Sequence, residues 1–173
     1  MARSPQRPFP KSYWVEPGRL LAGEYPASYD AEASRLKLRA LLDCGIDTLV
    51  DLTEPGELEP YGEILSEISP IQPLAVRQNF PILDFSVPTR EEMRRILDAL
   101  DELLVAGKTV YVHCFGGSGR TGTVVGCWLV RRGLSGDQAL QRIRELRKAI
   151  PAEMRRPSPE TLEQAEMVRT WKE

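Results

Sequence analysis

The sequence predicts an α/β fold in which a mainly parallel central sheet carries helices on both faces. Three observations carry this prediction. Short apolar runs of strand length alternate with stretches of helical periodicity, and strands alternating with helices pair most simply in parallel with the connecting helices covering the sheet. Val110, Tyr111 and Val112 form an apolar run that passes through HCFGGSGRTG at 113–122 into a second one, Val124, Val125, Cys127, Trp128, Leu129 and Val130. This reads as strand, tight loop and buried helix. Finally, 173 residues with 42% hydrophobic and 28% charged side chains suit one globular domain with a real core.

The elements follow in order. Residues 1–11 hold three prolines and no periodicity, and are expected to form a flexible tail ahead of a single domain at 12–173. Residues 13–15 and 20–22 read as short strands around a Pro17-Gly18 turn. Leu36, Leu38, Leu41 and Leu42 mark a helix that stops near Gly45, and 46–52 reads as a strand ended by Glu54-Pro55-Gly56. A helix is expected near 57–68 and a strand near 75–80. Thr89 with Glu92 makes a capping box, followed by Met93, Ile96, Leu97, Leu100, Leu103 and Leu104 at helical spacing and a stop at Gly107. Ser135 with Gln138 caps another helix, carrying Leu140, Ile143 and Leu146, and Ser158-Pro159 is expected to open a last one running to about Trp171.

Composition narrows the function classes. A net charge of -2 gives no general reason to expect nucleic acid or an anionic membrane as partner. No apolar stretch reaches spanning length, and MARSPQRPFPK lacks the hydrophobic centre of a signal peptide, so no membrane insertion is expected. Three cysteines, at 44, 114 and 127, without CxxC spacing and beside one histidine argue against a disulfide framework or zinc site, which predicts a reducing cytoplasm.

The chemistry is concentrated at 113–122. In a strand-to-helix loop, successive backbone N–H groups can turn inward as an anion nest, and the helix dipole adds positive charge at the same point. Phe115, Gly116, Gly117, Ser118 and Gly119 would form that nest, with the glycines permitting backbone angles a Cβ forbids. Cys114 begins the loop, where N–H donors, the helix N-terminus and Arg120 favour the thiolate, the form that attacks. Arg120 offers a planar fork for two phosphoryl oxygens, which a lysine cannot copy. Thr121 can turn its hydroxyl toward the sulfur, and His113 is expected to brace the loop rather than act as a base. Singly, each residue has a bland reading as core or turn. Their joint register by chance is on the order of one in a thousand or less.

The stretch from Val110 to Arg131 resembles the signature of the cysteine-dependent protein tyrosine phosphatases, and the short chain resembles their dual-specificity branch. DLTEPGEL at 51–58 and PILDFSVPT at 81–89 are similar to atypical members related to the cyclin-dependent-kinase-associated phosphatases. The resemblance implies the cysteine-phosphatase fold and two-step phosphomonoester hydrolysis through a phosphocysteine, with no metal or organic cofactor, acting on a phosphorylated protein or small phosphoester. It also implies a polar side chain near the start of the last helix that places the second-step water, the matching segment being 158–161 with Gln164 beyond.

A leaving oxygen needs a proton, and in open α/β sheets the site lies beyond the carboxyl ends of the strands. The general acid is therefore sought in the loops after 46–52 and 75–80. Asp84, among apolar neighbours that could raise its pKa and between Pro81 and Pro88, is the choice. The resemblance points to it too, although Leu83 stands where family members often carry proline. Asp51 is the runner-up, more simply read as a strand-end turn residue. Phe115 could wall an aromatic ring, Arg77 or Arg90 could bring charge from neighbouring loops, and Arg144 and Arg147 read as a solvated helix face. The alternatives are a phosphatase for inositol phosphates, phosphoinositides or another small phosphoester, and a phosphate-binding pseudoenzyme.

Overall fold

Gly18, at φ +73°, closes the turn that folds strand β1 (Ser12–Glu16) back on β2 (Leu20–Gly23) as an antiparallel pair. The computed structural model describes residues 5–69 and 75–173. Every later pairing is parallel: β5 (Val110–His113) lies between β2 and β3 (Thr48–Asp51), and β4 (Val76–Asn79) follows β3, giving the order β1-β2-β5-β3-β4. The predicted mainly parallel sheet is thus the observed one.

Side chains alternate across this sheet, as a period of two requires. Trp14, Leu21, Leu49 and Tyr111 face Leu38 and Leu41 of helix α1 (Ala31–Asp43) and Leu65 of α2 (Gly62–Ile68). Tyr13, Leu20, Ala22, Val50, Val110 and Val112 face the other way. There they join a core with α3 (Arg90–Val105), α4 (Arg120–Arg131), α5 (Gly136–Leu146) and α6 (Leu162–Arg169). Helix α3 shows the logic most simply, because Met93, Ile96, Leu97, Leu100 and Leu104 on one stripe are all buried. Each such burial is worth about 1.5–3 kcal/mol.

Four helices begin with a side-chain cap. Asp30 accepts from the N–H groups of Glu32 and Ala33, and Thr89, Ser135 and Thr161 form capping boxes with Glu92, Gln138 and Gln164. Helix α4 follows Gly119 with none, as α2 follows Tyr61. The last helix starts later and ends earlier than the Ser158-Pro159 signal suggests, because the Thr161–Gln164 box supplies the cap. Helix α2 likewise spans only the second half of 57–68, since Glu54–Glu57 is taken up by a turn. The described part of the expected tail is held against the fold. Trp14 Nε1 donates to the carbonyls of Pro5 and Gln6, and the Phe9 ring meets Tyr111 edge-on.

The parallel register sets Gly23, His113, Asp51 and Asn79 in one row at the carboxyl ends of their strands. Four loops therefore leave the sheet side by side.

Packing beneath α4 is close enough to test. A Cβ on Gly126 would lie 2.5 Å from a Val168 methyl and 3.3 Å from Ile143 Cδ1. Helix propensity alone would reward Gly126→Ala by about 1 kcal/mol. Overpacking against a stiff β-branched neighbour costs about 1–3 kcal/mol. The overpacking should win, so Gly126→Ala is expected to lower Tm by about 2–4 °C per kcal/mol of net loss. A raised Tm in a thermal melt would show that Val168 gives way.

Candidate active site

The loop at 114–119 is held by its carbonyls. Phe115 O accepts from Tyr25 N at 2.8 Å, Gly117 O from Arg147 Nη1 at 2.7 Å, Ser118 O from Ser158 Oγ at 2.7 Å, and Gly119 O from Thr123 Oγ1 at 2.8 Å. With these oxygens taken by the surrounding structure, none of the backbone N–H groups of 115–119 donates to a partner among the described residues. Gly117 sits at φ +70°, and a Cβ there would fall 2.4 Å from the Gly23 carbonyl carbon, so the loop tolerates only glycine against the end of β2. Free N–H groups above an uncapped helix N-terminus are the makings of an oxyanion site.

Cys114, 3% exposed, opens this loop, and Arg120 begins α4 with its side chain 1% exposed. Glu57 grips the guanidinium with both oxygens, Oε1 2.6 Å from Nη2 and Oε2 2.8 Å from Nη1, and Ile82 O accepts from Nη1 at 3.0 Å. Asp84 Oδ1 lies 3.1 Å from Nη2. Arg120 Nε is buried without a partner among the described residues, and so is Thr121 Oγ1. The loops after β3 and β4, where the acid was sought, both reach the arginine.

His113 is engaged at both ring nitrogens. Its Nε2 is 2.8 Å from Tyr61 Oη and its Nδ1 is 3.3 Å from Cys114 O. A carbonyl only accepts, so Nδ1 carries the proton and Tyr61 donates to Nε2. Asp51 is fully buried, takes the N–H and hydroxyl of Thr53 on Oδ1, and holds Arg77 on Oδ2. It ties the ends of β3 and β4 together and is a structural carboxylate.

Asp84 stands in a tight turn, with Ser86 N bonded to Leu83 O and Phe85 at φ +56°. Its side chain is 42% exposed and Leu83 and Phe85 are exposed, so the expected apolar enclosure is absent and Arg120 is its partner. Asp84 and Cys114 line one cavity of about 250 Å³ together with Phe85, Phe115, Gly116 and Ser118. The cations on its wall are Lys11 and Arg156 rather than Arg77 or Arg90. Arg77 is spent on Asp51, and Arg90 donates to the carbonyls of Thr170 and Lys172.

Two further parts of the site escape the sequence reading. Arg147, taken there as part of a solvated face, is 3% exposed and donates to Gly117 O, Ser118 Oγ and Arg156 O. Its spacing from Leu140 and Ile143 puts it on the buried stripe of the helix that ends beside it, a signal that helical periodicity does carry. Glu57 has no such signal. Gln164, fully buried, accepts from Glu160 N and Thr161 N and donates to Ser86 O, which joins the start of α6 to the Asp84 turn. Cys127 is buried, and burial pushes its thiol up to about 12; burial also raises Cys44.

Burial pushes the His113 imidazole down to about 4, against the opposing pull of Asp51. A base with a folded pKa below its ordinary value of about 6.5 binds fewer protons native than unfolded between those pH values. Its neutrality therefore contributes stability that is present above pH 6.5 and lost as pH falls toward 4. The chain has one histidine, so its imidazole NMR signals are unambiguous and should show no titration midpoint above about pH 5. A midpoint near 6.5 would contradict a buried, neutral brace.

The chain is similar to known proteins in sequence and in fold. Residues 10–170 match the family described as Swiss Army Knife protein, DSP-PTPase phosphatase domain. The mouse protein tyrosine phosphatase domain-containing protein 1 is 32% identical over 145 residues, covering 79% of this chain and 19% of that protein. An uncharacterized protein of Methanocaldococcus jannaschii is 41% identical over 66 residues, 38% of this chain and 43% of its own length. The chain thus spans under half the length of these curated relatives. The crystal structure of Tk-PTP in the active form superposes with a TM-score of 0.73 at 30% identity, covering 92% of this chain and 95% of that one. PTPMT1 in complex with PI(5)P superposes at a TM-score of 0.66 and 18% identity, with 92% of each chain covered, a likeness of fold. With the family model matching residues 10–170 and the fold shared with Tk-PTP, the chain belongs to the DSP-PTPase phosphatase-domain family.

Proposed function

We propose that the chain hydrolyses phosphomonoesters through a phosphocysteine on Cys114, with phosphotyrosine in proteins as its preferred substrate. The observation that carries the reading is the polarity of the 114–119 loop: the carbonyls of Phe115, Gly117, Ser118 and Gly119 are engaged by the surrounding structure, and the N–H groups of 115–119 have no partner among the described residues above an uncapped helix. A phosphoryl group in that cradle takes the N–H groups and the free Nε of Arg120.

In the first step the Cys114 thiolate attacks phosphorus as the P–O bond to the leaving group breaks, and Asp84 gives its proton to the departing oxygen. The Asp84 contact with Arg120 Nη2 is exchanged in that event for a phosphoryl oxygen on the arginine. In the second step water attacks the phosphocysteine, Asp84 takes its proton, and the thiolate leaves with the Thr121 hydroxyl available to hold it. The unpartnered, buried Thr121 Oγ1 supports that role. His113, neutral and fully engaged, positions the loop and moves no proton.

Phosphotyrosine is favoured by the mouth. Phe85 and Phe115 stand 63% and 57% exposed on the cavity wall, ready to flank an aryl ring. Glu24 and Glu160 on the same wall oppose a headgroup bearing several phosphates, whereas Lys11 and Arg156 are what a phosphoinositide reading would use.

Wild-type protein should turn over p-nitrophenyl phosphate and phosphotyrosine peptides, and Cys114→Ser should keep less than a few per cent of that activity while still binding oxyanions. Higher residual turnover would remove Cys114 as nucleophile. An inositol polyphosphate that beat every phosphopeptide tenfold in kcat/KM would overturn the substrate and leave the mechanism.

An acid matters most when the leaving oxygen is basic. Asp84→Ala should therefore cut kcat on phenyl or alkyl phosphates by about 10²–10⁴ and far less on an activated aryl phosphate, and the alkaline limb of the pH profile should disappear. Equal losses on both substrates would show that Asp84 only holds the turn.

A further inference from the structure

Behind the 114–119 loop lies a second cavity of about 550 Å³, walled by the second half of α5, by Ala165 and Arg169 of α6 and by residues 155–159 between the two helices. Its size lies in the range of ligand sites. Every charged side chain that lines it is cationic. Arg169 and Lys148 are partnered by carboxylates, Asp137 and Glu166 for the first and Glu145 for the second. Arg144, Arg147, Arg155 and Arg156 have no carboxylate partner among the described residues. Concentrating this charge in a chain of net charge -2 is unfavourable unless an anion is met there.

Two features identify the anion. The floor is apolar, made by Leu140, Pro157, Pro159 and Ala165. A chain segment bearing carboxylates suits such a floor, and a compact polyanion does not. Arg156 lines both this groove and the cavity that holds Cys114 and Asp84, so the two are neighbours across residues 154–156. Arg155 is pre-set, since its Nη2 donates to Ile150 O at 2.9 Å and it gives little rotamer freedom up on binding.

Building on the protein-phosphatase reading, we propose that this groove is a substrate exosite for acidic peptide: it binds Asp- or Glu-rich sequence flanking the phosphoresidue while the phosphate occupies the 114–119 loop. The groove then supplies binding energy and selectivity, and small substrates never reach it.

The test compares two phosphotyrosine peptides that differ only in acidic or neutral flanks, with p-nitrophenyl phosphate as the substrate too small to bridge the sites. Wild type should favour the acidic peptide by tenfold or more in kcat/KM at low salt, mainly through KM, with the preference shrinking as salt rises. Arg144→Glu with Arg155→Glu should remove most of that preference and leave p-nitrophenyl phosphate kinetics within twofold. In unaltered protein, an unphosphorylated acidic peptide should inhibit hydrolysis of the phosphopeptide and not of p-nitrophenyl phosphate, a result independent of how any variant folds. Phosphopeptides hydrolysed without regard to acidic flanks would overturn the exosite alone. Turnover of p-nitrophenyl phosphate with no turnover of any phosphopeptide would overturn both readings. Vesicles of phosphatidylcholine with phosphatidylinositol phosphate that bind wild type but not the double variant, with peptide kinetics unchanged, would make the groove a headgroup site and overturn the peptide.

Discussion

The direction of the peptide groups between Cys114 and Arg120 is the constraint on which the site depends. A backbone loop has as many carbonyl oxygens as amide hydrogens, and it becomes an anion receptor only if the oxygens are drawn away. Here Tyr25, Arg147, Ser158 and Thr123 each take one. These donors come from the end of β2, the turn after α5, the segment before α6 and α4 itself. The receptor is therefore a property of the whole fold, and much of the domain's architecture serves to bring four donors to four carbonyls.

The same division of labour governs charge. Arg120 is held in place by Glu57, so its position does not depend on a ligand, yet one N–H remains unspent. Arg147 is buried among two carbonyls, a hydroxyl and the Tyr13 ring, with no carboxylate partner among the described residues, so its charge is not cancelled beneath the loop. A neutral His113 beside Cys114 adds rigidity without competing for the proton. Positive charge is thus left uncancelled beneath the loop at Arg147 and is offset at Arg120, which Glu57 holds still.

Much of this is legible in the residues themselves. Strand and helix order follows from periodicity, and the capping boxes at Thr89 and Ser135 mark their helices correctly because those signals are local. The placement of Cys114 and Asp84 on one cavity, with Arg120 against Asp84, follows from strand order and loop position, which an α/β pattern largely dictates. What stays hidden is set by partners distant in sequence. Glu57 meets Arg120 from 63 residues away, and Arg147 reaches Gly117 across 30. The start of the last helix was misplaced because Ser158-Pro159 looks like a cap, whereas Ser158 spends its hydroxyl on the loop and Thr161 caps the helix. The charged groove is illegible for the same reason, because six cations spread over 26 positions become one wall only after α5 and α6 pack.

Helix α4 is buried along nearly all of its length and stands without the capping side chain that Asp30, Thr89, Ser135 and Thr161 supply to four other helices. Its first turn is in this sense unfinished, with donors that a serine or aspartate would elsewhere have satisfied within the chain. In the proposed reaction an incoming phosphoryl group completes it. Part of what would hold the substrate is then folding energy left uncollected, and the reactant would be for the duration of the reaction a missing piece of the protein's secondary structure.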